Sequence, residues 1–186
     1  MAFPSLLSRH ARRQRIPAAG LYAVIVAHAR MPVFFRDLEV PDSLDGRFET
    51  LALHTFLVLQ RLKAEGEAGA DLAQALFDAF FEDMDRSLRE LGVTDLGVGR
   101  RVKAMAQGFY GRIRAYEEGL AGSREQLADA LRRNLWGTVP APSEQHVAML
   151  ARYLRRQQEA LAAQPSAALA AGRVAFLPAD AATSEE

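Results

Sequence analysis

The apolar positions of this chain recur at spacings of three and four almost from end to end, which is the period of amphipathic helices. The clearest run is Val98, Val102, Met105, Phe109, Ile113, Tyr116 and Leu120, which predicts a helix over Val98–Leu120. A second line of small residues, Ala104, Gly108, Gly111, Ala115 and Gly119, lies about 120° around the same helix. A helical glycine costs roughly 1 kcal/mol relative to alanine, so Gly108, Gly111 and Gly119 together give up about 3 kcal/mol. Whatever offsets that loss is a close neighbour: another helix of the same fold, or a partner's backbone.

Helices account for nearly everything else. Pro17 suits the first turn of a helix running to Ala29. Pro32 opens a short second helix through Phe34, Phe35 and Leu38. After the turn Val40-Pro41-Asp42-Ser43, with Asp42 or Ser43 as cap, a third helix runs from Asp45 to Ala64. Its apolar residues point nearly all the way round, as in a helix buried at the centre of a bundle, and Arg47, Thr50, His54 and Arg61 share one polar strip. Gly66–Gly69 reads as a loop. A fourth helix over Asp71–Leu91 has the core stripe Ala73, Phe77, Phe80, Phe81, Met84, Leu88 and Leu91 and stops at Gly92, a left-handed cap. Glu82 with Arg86, and Asp85 with Arg89, form i,i+4 surface pairs. Gly92–Gly99 then leads into the two-faced helix. Ser123 with Gln126 is a capping box opening a helix to Trp136. Ser143 caps a further helix to Ala163, Pro165 ends it, and the Ala-rich stretch beyond suits one more turn. The reading is an all-α single domain, an orthogonal or irregular bundle of about seven helices over residues 17–171. A flexible basic arm covers 1–16, and an extended or disordered tail covers 172–186.

Composition narrows the function classes. The 186 residues, 49% hydrophobic and 25% charged, match a soluble globular domain with a real core. With no cysteine, disulfides, thiolate metal sites and cysteine nucleophiles are excluded. The longest uninterrupted apolar run, Leu21–Ala27, is short for a bilayer, and no secretory signal is expected. Net charge is zero but uneven: Arg9, Arg12, Arg13, Arg15, Arg30 and Arg36 precede the first carboxylate, Asp37. Such a leader suits a transit peptide, an arm resting on anionic lipid or RNA, or a solvated arm.

Candidate chemistry is mostly negative. The four histidines, His10, His28, His54 and His146, are never three or four apart, so no metal site is expected, and His54 reads as a hydrogen-bonded core histidine. Glu82-Asp83-Met84-Asp85 lacks the Glu-x-x-His of di-iron bundles and misses the Asp-Asp-x-x-Asp of isoprenoid enzymes. Gly92–Arg101 has the wrong spacing for a nucleotide loop and reads as a turn between helices. Neither Ser-x-x-Lys nor Gly-x-Ser-x-Gly is present. We expect no enzyme, no metal and no cofactor. Specific DNA binding is not expected either, because the basic arm has no interleaved aromatics and the remainder carries the excess acid.

The stretch Val40-Pro41-Asp42-Ser43-Leu44-Asp45-Gly46-Arg47-Phe48-Glu49, followed by Leu53-His54 and Leu59-Gln60-Arg61-Leu62, resembles the ubiquinol–cytochrome c chaperone family. So do Ala75–Asp85 with Leu88–Val93, and Val102–Met105 with Phe109–Arg112, for a likeness over residues 20–160. The resemblance implies a non-enzymatic assembly factor that binds newly made cytochrome b and aids assembly of the respiratory cytochrome bc complex. Mitochondrial members work with a small helical partner near the ribosomal tunnel exit; a bacterial relative is expected here, cytoplasmic and peripheral at the inner membrane. Whether the small partner or the ribosome contact carries over stays open.

On that reading, the lane of Ala104, Gly108, Gly111 and Ala115 holds the client, a partner or a second copy of the chain, as small-residue helix faces do. Arg101 and Arg112 flank the lane on one side, Arg100 and Glu118 on the other, and these charges set the register. Lys103 and Tyr110 occupy a third face as contact anchors, and Arg47, Asp83 and Asp85 fall in the family-like motifs. The alternative is a membrane-surface or ribosome-associated adaptor that works through its basic arm.

Overall fold

A computed structural model describes residues 5–179, with side chains from Gln14 onward. The described residues form α1 (Ser5–Ala29), α2 (Pro32–Arg36), α3 (Leu44–Lys63), α4 (Glu67–Glu90), α5 (Asp95–Ala121), α6 (Arg124–Leu135), α7 (Glu144–Ala162) and α8 (Ser166–Ala170). The local signals explain most boundaries. Ser43 caps α3 by accepting from the Gly46 amide, and Ser143 caps α7 by accepting from the His146 amide. Ser123 and Gln126 form the expected reciprocal box at α6. Gly92, with φ of 79°, takes the left-handed conformation that ends α4.

Three boundaries differ from the pattern. Helix α1 starts at Ser5, so Pro17 lies inside it and residues 5–16, expected as a flexible arm, belong to its first turns. Gly172 crosses α1 so closely that a Cβ on it would stand 2.7 Å from Pro17 Cα, and one on Gly20 would stand 2.7 Å from the Gly172 carbonyl oxygen. Helix α4 begins at Glu67, turning part of the expected loop into helix. Helix α5 begins at Asp95, because Arg89 bridges Asp85 and Asp95 and tightens the α4–α5 turn.

Helix α3 is the centre of the bundle and packs against α1, α4, α5, α6 and α7. Its Ala52, Leu53, Phe56, Leu57 and Val58 are sealed from solvent. Each such large side chain contributes on the order of 1.5–3 kcal/mol by leaving water. By length and composition, Gln14–Arg36, with mean hydropathy 1.5, is enough to cross a bilayer, more than its short uninterrupted run suggested. In the fold, Ala18, Leu21, Ile25 and Ala29 of this stretch sit in the core.

Residues 172–179 of the expected tail are packed on the bundle, and residues 180–186 lie outside the described residues. Gln164 of the α7–α8 junction grips both the amide and the carbonyl of Ala175, at 2.9 and 2.6 Å. Gln157 of α7 does the same to Leu177, at 2.9 and 3.0 Å. Between them Phe176 stacks on His28 with centroids 4.6 Å apart.

Candidate functional site

Between α3, α4, α5 and the α6–α7 turn lies an open cleft of about 830 Å³. Its floor is made by two neighbours on α3. Glu49 is a lone carboxylate in a buried face, and Phe48 lies beside it. A buried acid needs a partner. Arg112 of α5 supplies it, with Nε donating to Glu49 Oε2 at 2.7 Å and Nη2 donating to Oε1. The same guanidinium lies over the Phe48 ring, 5.4 Å from its centroid. Burial pushes the Glu49 carboxyl up, while Arg112 pulls it back down; Glu49 in turn holds Arg112 more firmly protonated. The two-pronged geometry makes this an ionised pair. Beneath it the Tyr116 hydroxyl is sealed without a well-formed hydrogen bond, and burial raises its phenol.

The walls are apolar and adjustable. Met84, Leu88 and Leu91 come from α4 and its C-terminal turn, and Met105 and Ala104 from α5. Methionine adapts to irregular partners more readily than branched side chains do. Leu44 and Leu91 stand at the mouth, 69% and 60% exposed. Among the described residues, Arg30, Arg101 and Arg133 line the cleft with no ion-pair partner.

The small-residue lane does not stay together as one surface. At Gly119 a Cβ would stand 2.8 Å from Leu127 Cα, so α6 fills that end. At Gly108 a Cβ would stand 2.9 Å from Arg112 Nη1, so this glycine clears the path by which Arg112 reaches Glu49. Nothing lies within 4 Å of a Cβ on Gly111, which is open to solvent. Ala115 is half-buried against the core. Of the residues singled out by sequence, Arg47, Asp83, Arg101, Ala104, Gly108 and Arg112 line the cleft. Asp85, Arg100, Lys103, Tyr110, Gly111 and Ala115 lie outside it. Several carry structural duties. Asp83 accepts from the Tyr22 hydroxyl at 2.8 Å, which ties α1 to α4. Asp85 holds Arg89 at 2.6 Å, and Arg47 is held by Asp42 at 2.6 Å. Arg112, expected as a flanking surface charge, is the buried partner of Glu49. Tyr110 is 60% exposed and stacks on Phe77 at 5.5 Å. The expected Glu82–Arg86 pair is replaced: Glu82 holds Arg15 of α1 at 2.8 Å, and Arg86 faces Asp83 at 3.8 Å.

Sequence reading missed Glu49 and the unpaired Arg30 and Arg133. The signal for Glu49 was present: a carboxylate on the most hydrophobic helix of the chain. Arg30 and Arg133 reach the cleft only through the packing of α1 and α6, which no local pattern records.

His28 and His54 form the other titratable cluster. His54 Nδ1 is 2.7 Å from the Thr50 carbonyl oxygen and must donate to it. Its Nε2 therefore accepts from the Tyr153 hydroxyl at 3.0 Å, and that oxygen accepts from His28 Nε2–H at 2.7 Å. Both rings are neutral, with burial lowering His54 to about 3 and His28 to about 4. His54 is sealed in the core, so the cluster has no access for a substrate. Among the described residues no three His, Asp or Glu side chains gather where a metal would sit.

Comparison with known proteins follows the same lines. The family model for ubiquinol-cytochrome C chaperone matches residues 36–176. The ubiquinol-cytochrome-c reductase complex assembly factor 1 of Xenopus laevis is 27% identical over 161 residues, covering 87% of this chain and 80% of that protein. The human protein of that name is 27% identical over 157 residues, covering 84% of this chain and 52% of the longer relative. The crystal structure of the Cbp3 homolog from Brucella abortus is 40% identical, with a TM-score of 0.81, covering 94% of this chain and 96% of that one.

Proposed function

The chain belongs to the ubiquinol–cytochrome c chaperone family, and from that premise we propose that it is a non-enzymatic assembly chaperone of the respiratory cytochrome bc complex. Its client is newly made cytochrome b, and its place is the cytoplasmic side of the inner membrane. The observation that carries the proposal is the open cleft with adaptable apolar walls above the Glu49–Arg112 pair. A nascent membrane helix presents apolar side chains and a closely approachable backbone. Ala104, small and exposed, leaves space for such a backbone, and Met84 and Met105 adapt to its side chains.

The test is a reduced-minus-oxidised haem spectrum of membranes from a strain deleted for this gene. Restoring the chain is expected to restore the cytochrome b signal. Ala104→Trp fills the cleft from an exposed position, and is expected to fold normally yet fail to restore the signal. Full restoration by Ala104→Trp removes the cleft from the reading. Gly111→Leu tests the outer, open part of the lane in the same assay; a folded variant that still captures cytochrome b restricts the client to the cleft.

A further inference from the structure

Among the described residues, Leu44, Leu91 and Leu96 are large apolar side chains exposed by 69%, 60% and 92%. Single exposed leucines are ordinary on soluble proteins. These three share one end of the molecule. Leu44, at the start of α3, and Leu91, just past the end of α4, both line the cleft. Leu96 follows Asp95, which Arg89 draws back toward Asp85 at the end of α4, so Leu96 is set beside the turn carrying Leu91.

The charges around them are biased. Asp42 is paired with Arg47, Asp83 with Arg86 at 3.8 Å, and Asp85 and Asp95 share Arg89, which leaves one acid uncompensated. Around the leucines, Arg30, Arg100, Arg101, Lys103 and Arg133 have no ion-pair partner among the described residues, against Asp45, Glu90 and the acid left over at Arg89, an excess of two positive charges. Protruding leucines ringed by free arginines match the interface of an anionic bilayer: the leucines enter the acyl boundary while the guanidinium groups meet lipid phosphates. An acidic protein partner would satisfy the same arginines, and the vesicle experiment below separates it from lipid.

We propose that this rim docks on an anionic lipid surface, so that the cleft opens directly onto the membrane. The proposal deepens the reading of a chaperone that works beside the inner membrane and rests on it. Its test needs no cytochrome b, so the two can fail separately.

The purified full-length chain is sedimented with phosphatidylglycerol–phosphatidylcholine vesicles and with pure phosphatidylcholine vesicles. Binding is expected on the anionic vesicles and is expected to weaken with salt. Leu96 and Arg100 do not line the cleft. Leu96→Asp should lower vesicle binding about tenfold or more, since it removes an inserted leucine and adds a charge. Arg100→Glu should lower it several-fold. Unchanged thermal unfolding of both exposed-site variants shows that the fold is intact. Three outcomes overturn the proposal. The wild-type chain ignores anionic vesicles; or it binds them equally well with Leu96→Asp and Arg100→Glu, losing binding only when Arg9, Arg12 and Arg13 are reversed to Glu; or the rim variants bind vesicles normally and fail only to capture cytochrome b, which makes the rim a protein contact.

Discussion

Arg112 Nη1 lies 2.9 Å from the point where a Cβ on Gly108 would stand. The guanidinium runs back along its own helix to reach Glu49 on α3, and a side chain at position 108 would crowd that path and force Arg112 to shift. A glycine that looks like one step of a docking lane therefore also gives room to the ion pair under the cleft.

The three lane glycines should respond differently to alanine, as measured by thermal or denaturant unfolding. Gly111→Ala meets open space and should stabilise by about 0.5–1 kcal/mol, the ordinary helix gain. Gly108→Ala displaces Arg112 and should gain clearly less. Gly119→Ala runs into the Leu127 backbone and should destabilise by about 1–2 kcal/mol. Equal effects at all three would contradict the division of the lane.

Arg112→Ala leaves the buried Glu49 without its partner and should cost about 3 kcal/mol at neutral pH. Burial already raises the folded-state pKa of Glu49 above its unfolded value, and without Arg112 this rise is unopposed. The folded state then takes up a proton at higher pH than the unfolded state. The loss should therefore shrink as pH falls through the carboxylate range, a trend that unfolding curves between pH 7 and 5 would reveal.

The neutral histidines make the fold acid-sensitive in the opposite sense. His28 and His54, lowered to about 4 and about 3, stay uncharged while their unfolded counterparts protonate near pH 6.5. Stability is complete above that value and drains as pH falls toward the folded values, by about 2 kcal/mol per histidine at pH 5. His28→Phe keeps a ring against Phe176 and removes one titration, so the slope of stability against pH should fall by about half. An unchanged slope would show that other groups govern acid unfolding.

Gln157 is sealed in the core and satisfies both backbone groups of Leu177. Gln157→Ala leaves them unpaired and should cost about 2 kcal/mol. Amide hydrogen exchange should accelerate at Leu177 first and spread to Ala175, which Gln164 still holds. Exchange that accelerates uniformly along the chain would mean the tail does not loosen as a unit.

The sequence by itself determined the local structure. Periods of three and four marked the helices, and Ser43, Ser123, Ser143 and Gly92 marked ends that depend on neighbours a few residues away. It also marked α3 as central, because a helix apolar on nearly every side has to be surrounded. Family likeness was legible in the same way, as residues in order. What the chain pattern could not contain was pairing across distance. Whether Arg112 faces solvent or Glu49 depends on how α5 crosses α3, and whether Gly119 is open depends on where α6 lies. The helical start of α1 before Pro17, the binding of the tail by Gln157 and Gln164, and the meeting of Arg30 with Arg133 at one cleft are all of this kind. Helix formation is decided over a few residues, but charge pairing, close approach and cavity shape are decided by which surfaces the packed helices bring together.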